Sequence, residues 1–216
     1  MRSLAYLQAH LGEVAVLTVE HLEMVVAATL IAFITAVPIG VLISRRRSWA
    51  VPVLHLANGI MTVPSIALLG LLIPILSPIG QGIGVVPTVI ALVLYAQLPI
   101  IRNTYTAIVD IDPEYREAAR GMGMTRSQLF WSVEAPLALP VILGGVRTAV
   151  VMMIGVTAIA VYIGAGGLGH LIQSGLNAVD DAVVLAGAMV LASLAVTAEI
   201  LLGWLQWWLT PAGMRT

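Results

Sequence analysis

The chain has 216 residues, of which 60% are hydrophobic and 10% are charged, and its formal net charge is −1. Soluble domains carry roughly 25% charged residues, so this composition, with a mean hydropathy of +1.02, excludes an ordinary soluble protein. The balanced charge, with no basic patch, also excludes a nucleic-acid binder, which must neutralise phosphates.

Two residue types are missing, and each absence excludes a chemistry. Without cysteine the chain has no disulfides, thiolate metal sites or cysteine nucleophiles. Without lysine it has no P-loop, because that loop needs a lysine to reach the terminal phosphates. We therefore expect no catalytic residue, and any ATP-driven step would take place on another polypeptide. The histidines are widely scattered, so we predict no metal site.

The amino-terminal segment, residues 1–21, is too polar for a cleavable signal peptide, because His10, Glu13 and Glu20 interrupt its apolar run. Apolar residues recur at helical spacing along one stripe, at Leu4, Leu7, Leu11 and Val14. This pattern predicts an amphipathic helix that lies in the membrane interface.

Five apolar stretches are long enough to cross a bilayer, which takes about 20 helical residues. They cover approximately residues 22–44, 51–76, 85–107, 141–163 and 183–209. Pro64 and Pro74 suggest that the second is a broken or tilted helix. The sequence therefore predicts an all-α integral membrane protein with five transmembrane helices in one domain, residues 22–211.

The arginines predict the orientation, because cytoplasmic loops collect positive charge. With five spans, all arginines except Arg2 fall on one side: Arg45, Arg46, Arg47, Arg102, Arg116, Arg120, Arg126, Arg147 and Arg215. We predict that the amino end is outside and the carboxyl end is inside. Trp204, Trp207 and Trp208 would then anchor the last span at the interface.

Residues 161–172, VYIGAGGLGHLI, contain Gly164-x-Gly166-x-x-Gly169, the spacing of a dinucleotide-binding loop. That motif requires a preceding strand and an acidic residue about 20 positions later. Here an apolar span precedes the glycines, and Asp180 and Asp181 come too early. We interpret the glycines as a turn that needs positive φ and close helix approach.

A polar segment, residues 108–136, separates the third and fourth spans. Asp112, before Pro113, predicts the N-cap of a short helix, and Gly121 is placed to end that helix.

Next, Thr125 and Gln128 predict a capping box that opens a second short helix, which Pro136 would stop. Two such helices would form a compact cytoplasmic knob, with Ala118 and Ala119 allowing another protein to approach closely. From spacing alone, a well-capped connector is an equally good interpretation.

The same segment resembles the EAA signature of ABC-importer permeases, which reads Glu-Ala-Ala, three residues, Gly, nine residues and Ile-x-Leu-Pro. The matching residues are Glu117, Ala118, Ala119, Gly123, Val133, Ala135 and Pro136. The spacing agrees throughout. Val133 and Ala135 replace the usual Ile and Leu, a small apolar departure.

Other stretches, including TVPSIALLGLLIPI, QLPIIRNTYTAI, PLALPVILGGVRTA and IGAGGLGHLI, extend the likeness over about residues 20–211. They resemble permeases of the glycine betaine/carnitine/choline (osmoprotectant) importer family. The resemblance implies a type I importer fold in the bacterial inner membrane and a quaternary-ammonium solute. Methionine-type permeases share this fold, so methionine or another small amino-acid-like solute is an alternative.

The resemblance also implies partners. Two cytosolic ATPases would bind ATP and Mg²⁺, and each would hold one knob. A second permease subunit, identical or distinct, would complete the pore. An external binding protein would deliver the solute. The EAA residues would then transmit the ATPase motion, supported by the caps at Asp112, Thr125 and Gln128. Membrane lipid would surround the spans.

A quaternary ammonium suits aromatic faces, and the candidates for the solute pathway are Tyr95, Tyr105, Met152, Met153 and Tyr162. Simple helix packing is the competing interpretation. Glu199 lies well inside a span, and we predict that it forms an interhelical ion pair with Arg147 or Arg102, the alternative being a gating or solute-contact role. An ion-coupled transporter or channel is a further alternative, but it would need more intramembrane carboxylates and usually inverted repeats.

Overall fold

The computed structural model describes residues 2–211, and the regular structure in that range is entirely helical, as the sequence predicts. The α-helices are α1 (Arg2–Ala9), α2 (Leu11–Arg45), α3 (Ala50–Thr62), α4 (Ser65–Leu76), α5 (Val85–Val109), α6 (Pro113–Gly121), α7 (Arg126–Leu129), α8 (Ala135–Thr157), α9 (Gly169–Ala178) and α10 (Asp181–Leu209). Short 3₁₀-helices lie at Arg47–Trp49, Ser77–Ile79 and Ala158–Ile163, and a π-helical turn lies at Phe130–Glu134.

Within residues 2–211, four helical stretches are long and apolar enough to cross a membrane: Leu11–Arg45, Val85–Val109, Arg126–Ile163 and Asp181–Leu209. A fifth forms if Arg47–Thr62 and Ser65–Ile79, which meet at 97°, count as one span. Pro64 lies at the bend with φ −57° and ψ 137°, outside the helical region. The predicted break in the second stretch therefore occurs at Pro64, whereas Pro74 lies inside α4.

The amino-terminal stripe does not lie on one helix, contrary to the expectation from its spacing. α1 ends at Ala9, His10 has φ −121° and ψ 27°, and α2 begins at Leu11. The break turns α1 toward α10, and Tyr6 and Val14 both pack against a cluster of Leu17, Leu168 and Leu171. At 1.5 Å per residue, the 35 residues of α2 extend about 50 Å, longer than a hydrocarbon core of about 30 Å.

Helix α5 is the centre of the bundle and packs against α2, α3, α4 and α8. The face of α2 that is buried includes small residues at every fourth position, namely Ala28, Ala32, Ala36 and Gly40. A Cβ atom on Gly40 would lie 2.5 Å from the Cβ of Thr104 on α5. Small side chains let helices approach closely in membrane proteins, and this stripe explains the tight α2–α5 contact.

The expectation that Pro136 stops the second short helix is wrong. The chain stays helical from Arg126 to Ile163 because α7 runs through the π-helical turn directly into α8. The N–H of Ala135 donates to the carbonyl oxygen of Phe130, five residues earlier. A proline inside a helix lacks an N–H and crowds the preceding turn, and the wide turn before Pro136 relieves that crowding. The last part of the 108–136 segment, from Arg126, is therefore continuous with the fourth span.

Candidate functional site

The 108–136 segment begins with a well-capped helix. The N–H of Glu114 donates to the Oδ1 atom of Asp112 at 3.0 Å, and Pro113 occupies the first turn of α6, where no N–H is needed. α6 ends at Gly121. The local sequence is sufficient to start and stop this helix.

The turn after α6 depends on Gly123 rather than on Gly121. Gly123 has φ +79°, in the left-handed region, whereas Gly121 does not have a positive φ. A Cβ atom at either position would meet nothing within 4 Å. Gly123 is therefore required for its backbone conformation and not for space. The predicted helix end is correct, but the residue in the left-handed conformation lies two positions later.

The second helix of the segment has the expected capping box. The N–H of Gln128 donates to Thr125 Oγ1 at 3.3 Å, and the N–H of Thr125 donates to Gln128 Oε1 at 2.8 Å. α6 packs against both α7 and the π-helical turn. The two short helices therefore form a compact knob.

The EAA residues divide between the surface and the base of this knob. Glu117, Ala118 and Gly123 are exposed, whereas Ala119 is 1% exposed, so the expectation that it lets another protein approach is wrong for Ala119. Val133, Ala135 and Pro136 are partly buried at the base, where the π-helical turn joins α8. Large apolar side chains are also exposed on the knob and at its base, at Tyr115, Met122 and Trp131. Exposed large apolar groups are typical of a protein-docking surface.

A cluster of charges around one buried carboxylate lies beneath the knob, and sequence reasoning missed it. The carboxylate of Glu134 is completely buried between the guanidinium groups of Arg45 and Arg116. Glu134 Oε1 accepts from Arg116 Nε at 2.8 Å and from Arg45 Nη1 at 3.2 Å, and Oε2 accepts from Arg45 Nη2. The signal in the sequence was an isolated carboxylate beside an apolar stretch, because buried carboxylates require partners.

The candidate pathway residues do not form one surface in this structure. Met153 is fully buried, and Tyr95 is 4% exposed, with its hydroxyl donating to the Val63 carbonyl oxygen. Tyr105 and Met152 are partly buried against the same core. Tyr162, in contrast, is 58% exposed. Tyr95 and Met153 thus contribute to helix packing in this conformation.

Arg147 on α8 and Glu199 on α10 form an ion pair, and Arg147 also donates to Gln206 Oε1 at 3.5 Å. Both side chains of the pair are partly exposed. Arg102 lies elsewhere, beside a cavity lined by Val51, Leu54, His55 and Asn58. Of the two arginines considered as partners of Glu199, only Arg147 contacts it among the described residues.

The glycine run forms a turn packed against α2. Positive φ occurs at Gly164, Gly166 and Gly167, and the Gly167 N–H donates to Glu20 Oε2 at 2.9 Å. A Cβ atom on Gly169 would lie only 2.0 Å from the Ala158 carbonyl oxygen. A 3₁₀-helix, not a strand, precedes the turn. The run therefore has the conformational role predicted for it and lacks the context of a dinucleotide-binding loop.

Comparisons with known proteins agree with this architecture. Residues 25–210 match the family described as "Binding-protein-dependent transport system inner membrane component". The osmoprotectant import permease protein OsmW of Salmonella typhimurium is 51% identical, over 100% of both chains. The glycine betaine/carnitine/choline transport system permease protein OpuCD of Bacillus subtilis is 44% identical, over 88% of this chain and 82% of the relative.

Among solved structures, a chain of the MetNI methionine ABC transporter in inward-facing conformations matches with a TM-score of 0.78 and 25% identity. The match covers 89% of this chain and 94% of that chain. The likeness confirms the fold predicted from the sequence, that of methionine-importer permeases. With the match to the family model and the full-length relative, it leads to one conclusion: this chain belongs to the family of inner membrane components of binding-protein-dependent transport systems.

Proposed function

We propose that this chain is the permease subunit of an ATP-binding cassette importer that takes up a quaternary-ammonium osmoprotectant, namely glycine betaine, carnitine or choline. The observation that carries this proposal is the 51% identity, over the full length of both chains, with an osmoprotectant import permease. Relatives named for choline and for carnitine transport are 39% and 43% identical over 97% and 88% of this chain. The chain supplies the membrane path and performs no hydrolysis.

The knob formed by α6 and α7 is the site at which a cytosolic ATPase docks. Its exposed residues include the carboxylates of Glu114 and Glu117, the small side chain of Ala118 and the apolar groups of Tyr115, Met122 and Trp131. A small residue on the exposed face allows close approach, and the surrounding apolar groups provide contact area. The arginine distribution favours the cytoplasmic side for this face, with the amino end of the chain outside.

The motion of the ATPase reaches the membrane through two routes. α7 is continuous with α8 through the π-helical turn, and α6 follows the end of α5 after residues 110–112. A rigid-body displacement of the knob therefore shifts α5 and α8 together, and the two helices are packed against each other. Such a shift is the kind of rigid-body change that switches a transporter between inward-open and outward-open states.

The importer requires further chains. Two ATPase subunits would supply ATP and Mg²⁺ chemistry, a second permease subunit, either identical or related, would complete the pathway, and an external binding protein would deliver the solute. Aromatic and methionine side chains suit a poorly hydrated cation. Tyr162, which is exposed in this structure, is the strongest of the pathway candidates.

Reconstitution into liposomes tests the solute and the energy source together. The permease is assembled with its ATPase and loaded binding protein, and uptake of labelled glycine betaine, carnitine and choline is compared with uptake of methionine. ATP-dependent uptake of a quaternary ammonium supports the proposal. Uptake of methionine alone would assign the chain to an amino-acid importer, and uptake without ATP would indicate a channel or an ion-coupled carrier.

A single substitution tests the docking face. Glu117→Gln removes the charge but preserves the size of the side chain, and we expect weaker capture of the ATPase subunit with normal insertion of the permease. The matched control is Glu13→Gln, the same change at an exposed site in the first turn of α2. Equal capture of the ATPase by both variants contradicts the role assigned to Glu117.

A further inference from the structure

The cluster of Glu134, Arg45 and Arg116 connects parts of the chain that are far apart in sequence. Arg45 is the last residue of α2, Arg116 lies in the middle of α6, and Glu134 ends the π-helical turn before α8. Arg116 also donates to the carbonyl oxygen of Ile108, near the end of α5, and to that of Ile111 at 3.1 Å. One buried carboxylate thus joins the knob to α2, α5 and α8.

The geometry of the cluster restricts how far α6 can move relative to α2. A carboxylate without solvent exposure must have its charge and its hydrogen-bonding capacity satisfied inside the protein. Each oxygen of Glu134 has an arginine donor, and the Arg45 guanidinium also lies 5.7 Å from the centre of the Phe130 ring. A displacement of α6 relative to α2 would pull a guanidinium away from the Glu134 carboxylate, which is unexposed, although the Arg45 and Arg116 side chains are 45% and 21% exposed. The cluster therefore resists relative movement of these helices.

We propose that Glu134 is a positioning residue that makes the knob move as one body with α2, α5 and α8. This inference rests on the proposed function, since it concerns how a push on the knob reaches the spans. With the cluster intact, displacement of α6 carries the ends of α2 and α5 with it. Without the Glu134 charge, α6 tilts on its own and part of the ATPase motion is lost before it reaches the spans.

The main test is Glu134→Gln in the complete importer, reconstituted with the ATPase and the loaded binding protein. We expect the ATPase to be captured and hydrolysis to continue, while solute uptake per ATP falls on the order of tenfold, the scale of one coupling interaction. Glu13→Gln, at an exposed position in α2, is the control and retains the wild-type ratio. An unchanged ratio in Glu134→Gln overturns the proposal.

A distance measurement on the permease chain gives a second readout. Because the sequence contains no cysteine, spin labels can be placed through Ser48→Cys, beyond the end of α2, and Glu114→Cys on α6, both exposed sites. Pulsed electron resonance then reports the spread of distances between the two elements. We expect a broader, shifted distribution with Glu134→Gln. An identical distribution refutes the positioning role of Glu134 even if transport changes.

Arg116→Lys is the second variant, for use if Glu134→Gln does not fold. It keeps a positive charge beside Glu134 but removes the forked donors that reach Ile108 and Ile111. We expect the same loss of uptake per ATP and the same broadening, both smaller. Wild-type values for both quantities overturn the proposal. If the wild-type permease does not capture an ATPase or take up solute with ATP, the proposed function fails. The spin-label distances still test whether Glu134 holds α6 in position.

Discussion

The turn between α6 and α7 offers a sharp test of why the EAA segment contains a glycine. Gly123 has φ +79°, and Gly121, two residues earlier, ends α6 without a positive φ. Neither would place a Cβ atom within 4 Å of another group. Alanine substitutions at the two sites therefore differ in backbone conformation and not in crowding.

The expected magnitude follows from that difference. An L-residue in the left-handed region costs about 1–2 kcal/mol, so Gly123→Ala should destabilise the closed turn by that amount. At Gly121, alanine is no worse than glycine and can gain up to about 1 kcal/mol of helix propensity. Since about 1.4 kcal/mol corresponds to a factor of ten, local opening should become on the order of tenfold more frequent in Gly123→Ala alone.

Amide hydrogen exchange measures this opening directly. The Met122 N–H donates to the Ala118 carbonyl at 3.0 Å, and the Met124 N–H donates to the Ala119 carbonyl at 3.1 Å. After correction for intrinsic rates, both amides should exchange about tenfold faster in Gly123→Ala and no faster in Gly121→Ala. Equal rates in the two variants would refute the argument that Gly123 is required for its positive φ.

Three further predictions concern packing, charge and capping. Gly169→Ala should destabilise the chain by about 3 kcal/mol or more, because the new Cβ atom would lie 2.0 Å from a backbone carbonyl oxygen. Thermal unfolding in detergent measures this loss. The control is Gly155→Ala, whose Cβ atom would meet nothing within 4 Å and which should unfold at or above the wild-type temperature. Glu199→Gln should lower the unfolding temperature because Arg147 loses the carboxylate with which it pairs. Adding Arg147→Gln should restore part of the loss. A Glu199→Gln variant as stable as wild type would show that the pair contributes nothing to stability. Thr125→Val removes the capping oxygen at a cost of about 1 kcal/mol, so the first amides of α7 should exchange several-fold faster, and unchanged exchange would show that the box is dispensable.

Features with a local cause could be predicted from the sequence. The apolar stretches predicted which parts of the chain form long helices, and Pro64 predicted the break between α3 and α4. The caps of α6 and α7 depend on residues no more than three positions apart, so their side chains can reach their own backbone in any fold. The glycine turn belongs to the same group, because glycine, having no Cβ atom, adopts positive φ at little cost, as Gly164, Gly166 and Gly167 do.

Features that join distant residues depended on the tertiary structure. The sequence has Glu134 and Arg45 separated by 89 positions, and only the crossing of α2 with α8 and the π-helical turn brings them together. The choice of Arg147 over Arg102 as the partner of Glu199 depends likewise on how α8 and α10 pack. A pattern along the chain determines which side of a helix is apolar, but the rotation and spacing of two helices come from their packed side chains. The sequence by itself thus determined the long apolar helices and the caps of α6 and α7, whereas tertiary packing decided which charged side chains meet at Glu134 beneath the knob.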